Sequence, residues 1–182
     1  MSAYVAGIDL SLTSTGLAVI GPDGVQVHRI QSKGHKDATL IERVVRLRRI
    51  AVELDDRLTG GDLIVIEQPA YSRTTGHMHD RSGLWWLIVN SLSWHTPVVE
   101  VAPTARCKYA TGKGNASKDA VLAAVVRRYP DVDVTGNDVA DALVLAAMGA
   151  RALGHPIEAS LPQTHLDAMA KVAWPTDTEG AA

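Results

Sequence analysis

Four carboxylates in this sequence stand where an acid is unexpected. Asp9 ends the apolar run Tyr4-Val5-Ala6-Gly7-Ile8, and Glu67 ends the run Leu63-Ile64-Val65-Ile66. Asp138 and Asp141 open the apolar stretch from Val139 to Ala150, three residues apart. On a helix that spacing puts both on one face. Strand-end acids plus an acidic pair on one helical turn make a candidate cage for divalent cations. Magnesium takes oxygen ligands, and two such ions can clamp an in-line displacement at phosphorus. Without metal the carboxylates repel one another, so at least one pKa should rise and the set should titrate as a unit. Singly, each acid has a plain alternative. Asp9 reads as a turn residue, Glu67 as the partner of an arginine, and Asp138 as an acid favoured in a first helical turn. Jointly, in this order, they point to magnesium-dependent chemistry on phosphates.

Basic residues lie near these acids in sequence. Arg73, His77, His79 and Arg81 follow Glu67 in a polar stretch, residues 68–82. They are candidates for contacts to the phosphates of a polyanionic partner; the alternative is a solvated polar loop. His77 and His79 have no evident third ligand for a transition metal. Arg106, Lys108, Lys113 and Lys118 cluster around Gly112 and Gly114. That segment can approach a phosphate closely, with backbone donors at a helix start after Ser117. The spacing of a Walker P-loop is missing.

The elements that must position these groups can be read from periodicity. Tyr4–Asp9 reads as a buried strand, Gly16–Gly21 as a second and Val25–Ile30 as a third, with a Pro22-Asp23-Gly24 turn before the last. Leu40, Val44, Leu47, Ala51, Leu54 and Leu58 recur at helical spacing, which predicts a helix over 38–58. Asp62–Glu67 is apolar enough for a central strand. Gly83–Trp94 reads as an apolar helix, Pro97–Val101 as a short strand, and 103–116 as a basic, glycine-containing segment. Ser117 is a candidate cap for a helix to about Tyr129, and Asn137 for another to about Ala152. A three-stranded meander followed by alternating helices and strands implies a layered α/β fold. The first strand is expected near the centre, with the strand ending at Glu67 beside it. Asp9 and Glu67 would then meet at one sheet edge, and the last helix would carry Asp138 and Asp141 over it.

The chain has 182 residues, 46% of them hydrophobic, and a net charge of −2. One domain is expected over residues 1–154, followed by a polar tail, 155–182, in part disordered. That tail holds one basic residue against four acidic; the body holds seventeen against sixteen. With the four acids neutralised by metal, the rest of the body is basic by five charges, compatible with a polyanionic partner. No run approaches the roughly 20 apolar residues of a membrane span, and no signal peptide is expected. Cys107 is the only cysteine, which excludes an intrachain disulfide and a Cys-based zinc cluster and suits a reducing cytoplasm.

Over residues 4–150 the sequence resembles the RuvC-type Holliday junction resolvases of the ribonuclease H-like superfamily. The carriers are Gly7-Ile8-Asp9 with Thr15-Gly16, Ile66-Glu67-Gln68, Lys118 within Asn115-Ala116-Ser117-Lys118, and Asp138-Val139-Ala140-Asp141-Ala142-Leu143. The resemblance implies a ribonuclease H-like mixed sheet, three antiparallel strands then parallel ones, flanked by helices. It implies an endonuclease for four-way DNA junctions in which Asp9, Glu67, Asp138 and Asp141 bind magnesium, two ions per site, with manganese as a substitute. It gives Lys118 a place beside the scissile phosphate and Lys108 a looser match to a second basic position. Products would carry 5′-phosphate and 3′-hydroxyl ends. It also implies a homodimer, through the helix around Leu84–Trp94, because two symmetric cuts need two sites. The sequence departs from the family after Asp9, where Leu10-Ser11 replaces Pro-Gly. It departs again after Gln68, where Pro69-Ala70-Tyr71 stands in place of an aromatic wedge; Tyr71 is the candidate wedge, one residue displaced. The composition, without Phe, suits a high-GC bacterium or its phage.

Two competing readings follow from the same residues. One is a junction-binding protein with a vestigial site, or a nuclease of broader range on branched DNA and forks. The other is a sugar-kinase-like or actin-like ATPase, since residues 7–16 resemble a first phosphate loop; that fold needs a second similar domain, for which 182 residues leave no room.

Overall fold

The computed structural model describes residues 3–58, 60–69 and 77–175. Five strands form one sheet: β1 (Val5–Asp9), β2 (Ser14–Gly21), β3 (Gly24–Gln31), β4 (Leu63–Glu67) and β5 (Val98–Val101). Their order is β3-β2-β1-β4-β5, antiparallel among β1, β2 and β3 and parallel from β1 through β4 to β5. The first strand is central and the Glu67 strand lies beside it, as the apolar runs required.

Strand alternation divides the core into two layers. On one face Val5, Ala18, Ile20, Leu63, Val65 and Val101 meet α3 (Pro103–Thr111), α4 (Lys118–Arg128) and α5 (Asn137–Ala152). On the other, Ala6, Ile8, Leu17, Val19, Ile64 and Ile66 meet α1 (Leu40–Asp55) and α2 (Met78–Leu92). Because β1 and β4 are covered on both faces, they read as unbroken hydrophobic runs.

Three expectations are corrected. Residues 103–111 are helical, not an irregular segment. Pro103 sits in the first turn of α3 and Gly112, with φ of +79°, caps its end. The helix was hidden because its buried face includes Arg106 beside Ala105, Cys107, Tyr109 and Ala110. Second, α2 begins at Met78 rather than Gly83. Its polar first turn is held by Asp80, which accepts from Arg43 Nε of α1 at 2.9 Å. Third, Gly136 and not Asn137 is the N-cap of α5, and Asn137 is its first residue. Within α1 the capping box of Thr39 and Glu42 fixes the start, and Ile50, Ala51 and Leu54 are buried, while Leu40 is exposed.

Residues 155–175, set apart in the sequence as a polar tail, pack on the back of α3. Glu158 is buried and accepts from Tyr109 Oη (3.0 Å), Tyr129 Oη (2.5 Å) and Arg151 Nη2 (3.0 Å). His165, in the short helix α6 (Gln163–Leu166), has its Nδ1 2.7 Å from the carbonyl of Tyr109. A buried carboxylate costs several kcal/mol unless paired, and this one has three donors. Among the described residues no helix is long and apolar enough to cross a membrane.

Candidate active site

Asp9 and Glu67 leave the sheet at the same edge, because β1 and β4 are parallel and Ile8 is in register with Ile66. The β1–β2 connection beside them is closed by Thr15. Its Oγ1 donates to the Ser11 carbonyl (2.8 Å) and accepts from the Ser11 amide (3.1 Å). Helix α5 then lies directly on β1 and β2. A Cβ at Gly7 would stand 2.2 Å from the carbonyl oxygen of Ala142, and one at Gly16 would stand 2.0 Å from that of Asp138. Only glycine permits this contact distance, and the approach carries Asp141 toward Asp9 and Glu67.

The electrostatics follow from that crowding. Burial, and then the charges of Glu67 and Asp141, push the Asp9 carboxyl up to about 7. Burial also raises Asp141, to about 6; Arg106 pulls it back and Glu67 adds to the rise. Arg106 lies between the two acids. It is only 9% exposed, with Nε on a Glu67 carboxylate oxygen and Nη1 on an Asp141 carboxylate oxygen. Burial opposes the charge of this guanidinium, but Glu67 and Asp141 more than compensate and hold it protonated.

Asp138 is not part of the cluster. It accepts from Arg29 Nη2 at 2.7 Å, from Ser14 Oγ, and from the Val139 amide at 3.0 Å. Desolvation works against its charge, yet these bonds hold its pKa below the usual carboxylate value. The described residues therefore contain three converging acids with a guanidinium among them, and a fourth one turn away on its own arginine. No group of three or more His, Cys, Asp or Glu among them is arranged as a ready metal cage.

A cleft of about 200 Å³ opens in front of Asp9 and Glu67. Leu10, Ser11 and Leu12 after β1, Gln68 and Pro69 after β4, and Met78, Arg81 and Trp85 of α2 line it. Trp85 Nε1 donates to the Glu67 carbonyl at 3.1 Å and so ties α2 to the end of β4. Lys118 is exposed at the first position of α4, close enough to lower the pKa of both Asp9 and Asp141.

Of the expected DNA contacts, Arg81 borders the cleft. Arg106 does not face solvent but is a buried counter-charge to the acids. Lys108 points to the C-terminal segment, 3.6 Å from Asp167. Lys113 lines a separate groove with Arg127, Arg128 and His165. Tyr71 and Arg73 lie outside the described residues. The sequence reading passed over Ser14 and Arg29, the partners of Asp138. Their signal is topological: Ser14 and Arg29 flank Asp138 only once β2 and β3 are paired, with Gly16 opposite Arg29.

No family model matches this sequence, and no curated protein matches it. Solved structures do match. The Thermus thermophilus RuvC structure has a TM-score of 0.60 and 22% identity, over 84% of this chain and 97% of that one. T. thermophilus RuvC in complex with Holliday junction substrate has a TM-score of 0.57 and 22% identity, over 79% and 90%. This chain has the RuvC fold. Its sheet, three antiparallel strands followed by parallel ones between helical layers, is the ribonuclease H-like α/β architecture expected from the sequence. On that RuvC-like frame, the acids lie at the carboxyl ends of β1 and β4 and at the start of α5.

Proposed function

We propose that this protein is a magnesium-dependent endonuclease that cuts four-way DNA junctions by paired, symmetric hydrolysis of phosphodiester bonds. The observation that carries the reading is the convergence of Asp9, Glu67 and Asp141 at one edge of a RuvC-like sheet. One buried carboxylate, Asp141, and two half-buried ones, Asp9 and Glu67, form an oxygen-only donor set, which suits a hard divalent cation. The guanidinium already lodged between two of them is a stand-in for such a cation.

Asp9, Glu67 and Asp141 would hold magnesium, with Asp138 joining if it leaves Arg29; manganese is expected to substitute. When bound, two ions supply an activated water and neutralise charge on the leaving oxygen. Lys118, exposed beside Asp9 and Asp141, offsets negative charge at the scissile phosphate. Arg81, on the cleft wall, contacts the DNA backbone. The fold's likeness to a RuvC solved with a Holliday junction substrate supports branched DNA as the substrate class.

Two cuts need two sites, and α2 offers the surface for a homodimer. On α2 Trp86 is 65% exposed, with Leu87 beside it, and Trp94, two residues past the end of the helix, is 76% exposed. Large apolar side chains left in water at this density mark an interface. A cytoplasmic location suits the single buried thiol of Cys107.

A second reading has one observation in its favour. Because Arg106 fills the gap between Glu67 and Asp141, the chain could bind junctions without cutting them. Incubation with labelled four-way junction, Y-fork and linear duplex, in magnesium or in chelator, separates the readings. Paired nicks on the junction alone, dependent on magnesium, are expected. Cutting of forks as well would make it a general branched-DNA nuclease. Binding without cleavage in magnesium or manganese would overturn the nuclease assignment.

A further inference from the structure

Arg106 is an unusual group to find inside an acid cluster meant for metal. Its guanidinium bridges acids on two different elements, Glu67 at the end of β4 and Asp141 on α5. Without it, those two carboxylates and Asp9 would face one another with no buried counter-charge. Lys118 is exposed, and its charge is screened by solvent.

The backbone that carries Arg106 is fixed from behind. Tyr109, one turn later on α3, is bonded to Glu158 and to Arg151 Nε at 2.8 Å. Its carbonyl meets Arg128 Nη1 at 3.2 Å and His165 Nδ1 at 2.7 Å. The cysteine next to Arg106 is held too, with Sγ 3.2 Å from the Lys113 carbonyl. So α3 is an anchored platform, and the long arginine side chain is the part free to change partners. The guanidinium takes one oxygen of each carboxylate, Oε2 of Glu67 and Oδ1 of Asp141, and its positive charge opposes a divalent cation between them, so the two compete for this space.

We propose that Arg106 is a built-in cation that holds Glu67 and Asp141 together in the metal-free protein and gives them up when a divalent ion enters. Metal binding at this site is then an exchange of one cation for another, and Arg106 sets the affinity. It is a positioning residue: it acts through the two acids. The inference rests on the nuclease reading above, which gives the acids their metal.

The test titrates MgCl2 and MnCl2 alone, with no DNA, into the full chain by calorimetry and by thermal melting. Wild type is compared with Arg106→Gln and Arg106→Lys. The Gln variant should melt lower than wild type without metal, yet bind the ions about tenfold more tightly, the order of an ordinary coupling between two sites. The Lys variant should return both values toward wild type. Equal or weaker affinity in the Gln variant overturns the proposal.

Should the Gln variant fail to fold, the wild-type protein labelled with ¹⁵N-arginine supplies the readout. One Nε–H signal should be protected from exchange without metal and lose that protection as magnesium is added. A signal still protected at saturating magnesium overturns the proposal. The two readings fail differently. Wild type that binds the ions while Arg106 stays in place removes only this inference. Wild type that binds no divalent ion and cuts no junction removes the nuclease assignment with it.

Discussion

Asp9 is an acid whose surroundings favour its proton. Burial comes first, then the like charges of Glu67 and Asp141, and its pKa rises from 3.8 to about 7. Asp141 rises to about 6 for the same leading reason. Between pH 4 and 7 the folded protein therefore keeps a proton that the unfolded chain has released. Stability from these groups is present below that window and is lost as pH rises through it. Asp138 shifts the other way, so its contribution is lost only in more acid solution. Without metal, the melting temperature should fall between pH 5 and pH 8, and Asp9→Asn should flatten that slope. For a chain of this size each kcal/mol corresponds to about 2–4 °C. Asp9→Asn at pH 8 in chelator should melt at least about 3 °C above wild type, and magnesium should remove the difference. Melting curves across pH check this; a wild-type curve that rises toward pH 8 would contradict it. Asp9 and Glu67 were conspicuous in the sequence because each puts a charge at the end of an apolar run, whereas Asp138, grouped with them there, is held apart by Ser14 and Arg29. Arg106 was not conspicuous, because a buried arginine and a surface arginine look alike until the fold pairs one with Glu67 and Asp141.

At the scale of elements, contact between α5 and the sheet decides whether those acids meet. Gly7 and Gly16 are required by packing: a Cβ at Gly7 would lie 2.3 Å from the backbone nitrogen of Ala146 as well as 2.2 Å from the oxygen of Ala142. Backbone atoms cannot swing aside as a side-chain end can, so the helix must lift. Gly24 differs, since its φ is +105° and nothing stands within 4 Å of the added carbon. Gly24→Ala should cost about 1–2 kcal/mol of conformational strain. Gly7→Ala should exceed the roughly 1–3 kcal/mol of ordinary overpacking and impair cutting by displacing Asp141. Denaturant unfolding of both variants checks the ranking, and equal losses would contradict it. The strands, α1, α4 and the extent of α5 were legible because apolar spacing at periods of two and 3.6 survives in the sequence. Helix α3 was not, although its signals were present. Pro103 and Gly112 bracket it, but its buried face interleaves Arg106 with Ala105, Cys107, Tyr109 and Ala110 and carries no clear apolar stripe. The polar first turn of α2 was missed for a related reason: Asp80 is held by Arg43 of another helix, a contact no local pattern records.

At the scale of the whole molecule, the C-terminal segment and the outer face of α2 have opposite relations to solvent. The segment looks polar in sequence, yet Glu158 is buried among Tyr109, Tyr129 and Arg151, and Ala168 joins the core. Its composition concealed this because its main anchor is one carboxylate satisfied by distant residues. The outer face of α2 is apolar in sequence and remains partly uncovered in the single chain, at Trp86 and Leu87, with Trp94 exposed just past the helix end. Dimerisation through that face predicts that Trp86→Lys yields a monomer at concentrations where wild type is a dimer, with little change in melting of the protomer. Sedimentation velocity checks it, and a wild-type monomer would contradict it. A monomer would also be expected to lose the coupling between the two nicks of a junction. Hydrolysis is expected of the acids at the edge of this RuvC-like sheet. The most direct measurement is strand-resolved cutting of one synthetic four-way junction in magnesium by wild type and Asp9→Asn, with binding of both measured alongside. Wild type should give symmetric paired nicks, and Asp9→Asn should bind the junction undiminished with cutting reduced by at least about a thousandfold, as expected when a metal-holding acid is lost. Full cutting by Asp9→Asn, or binding without cutting by wild type, would contradict this expectation.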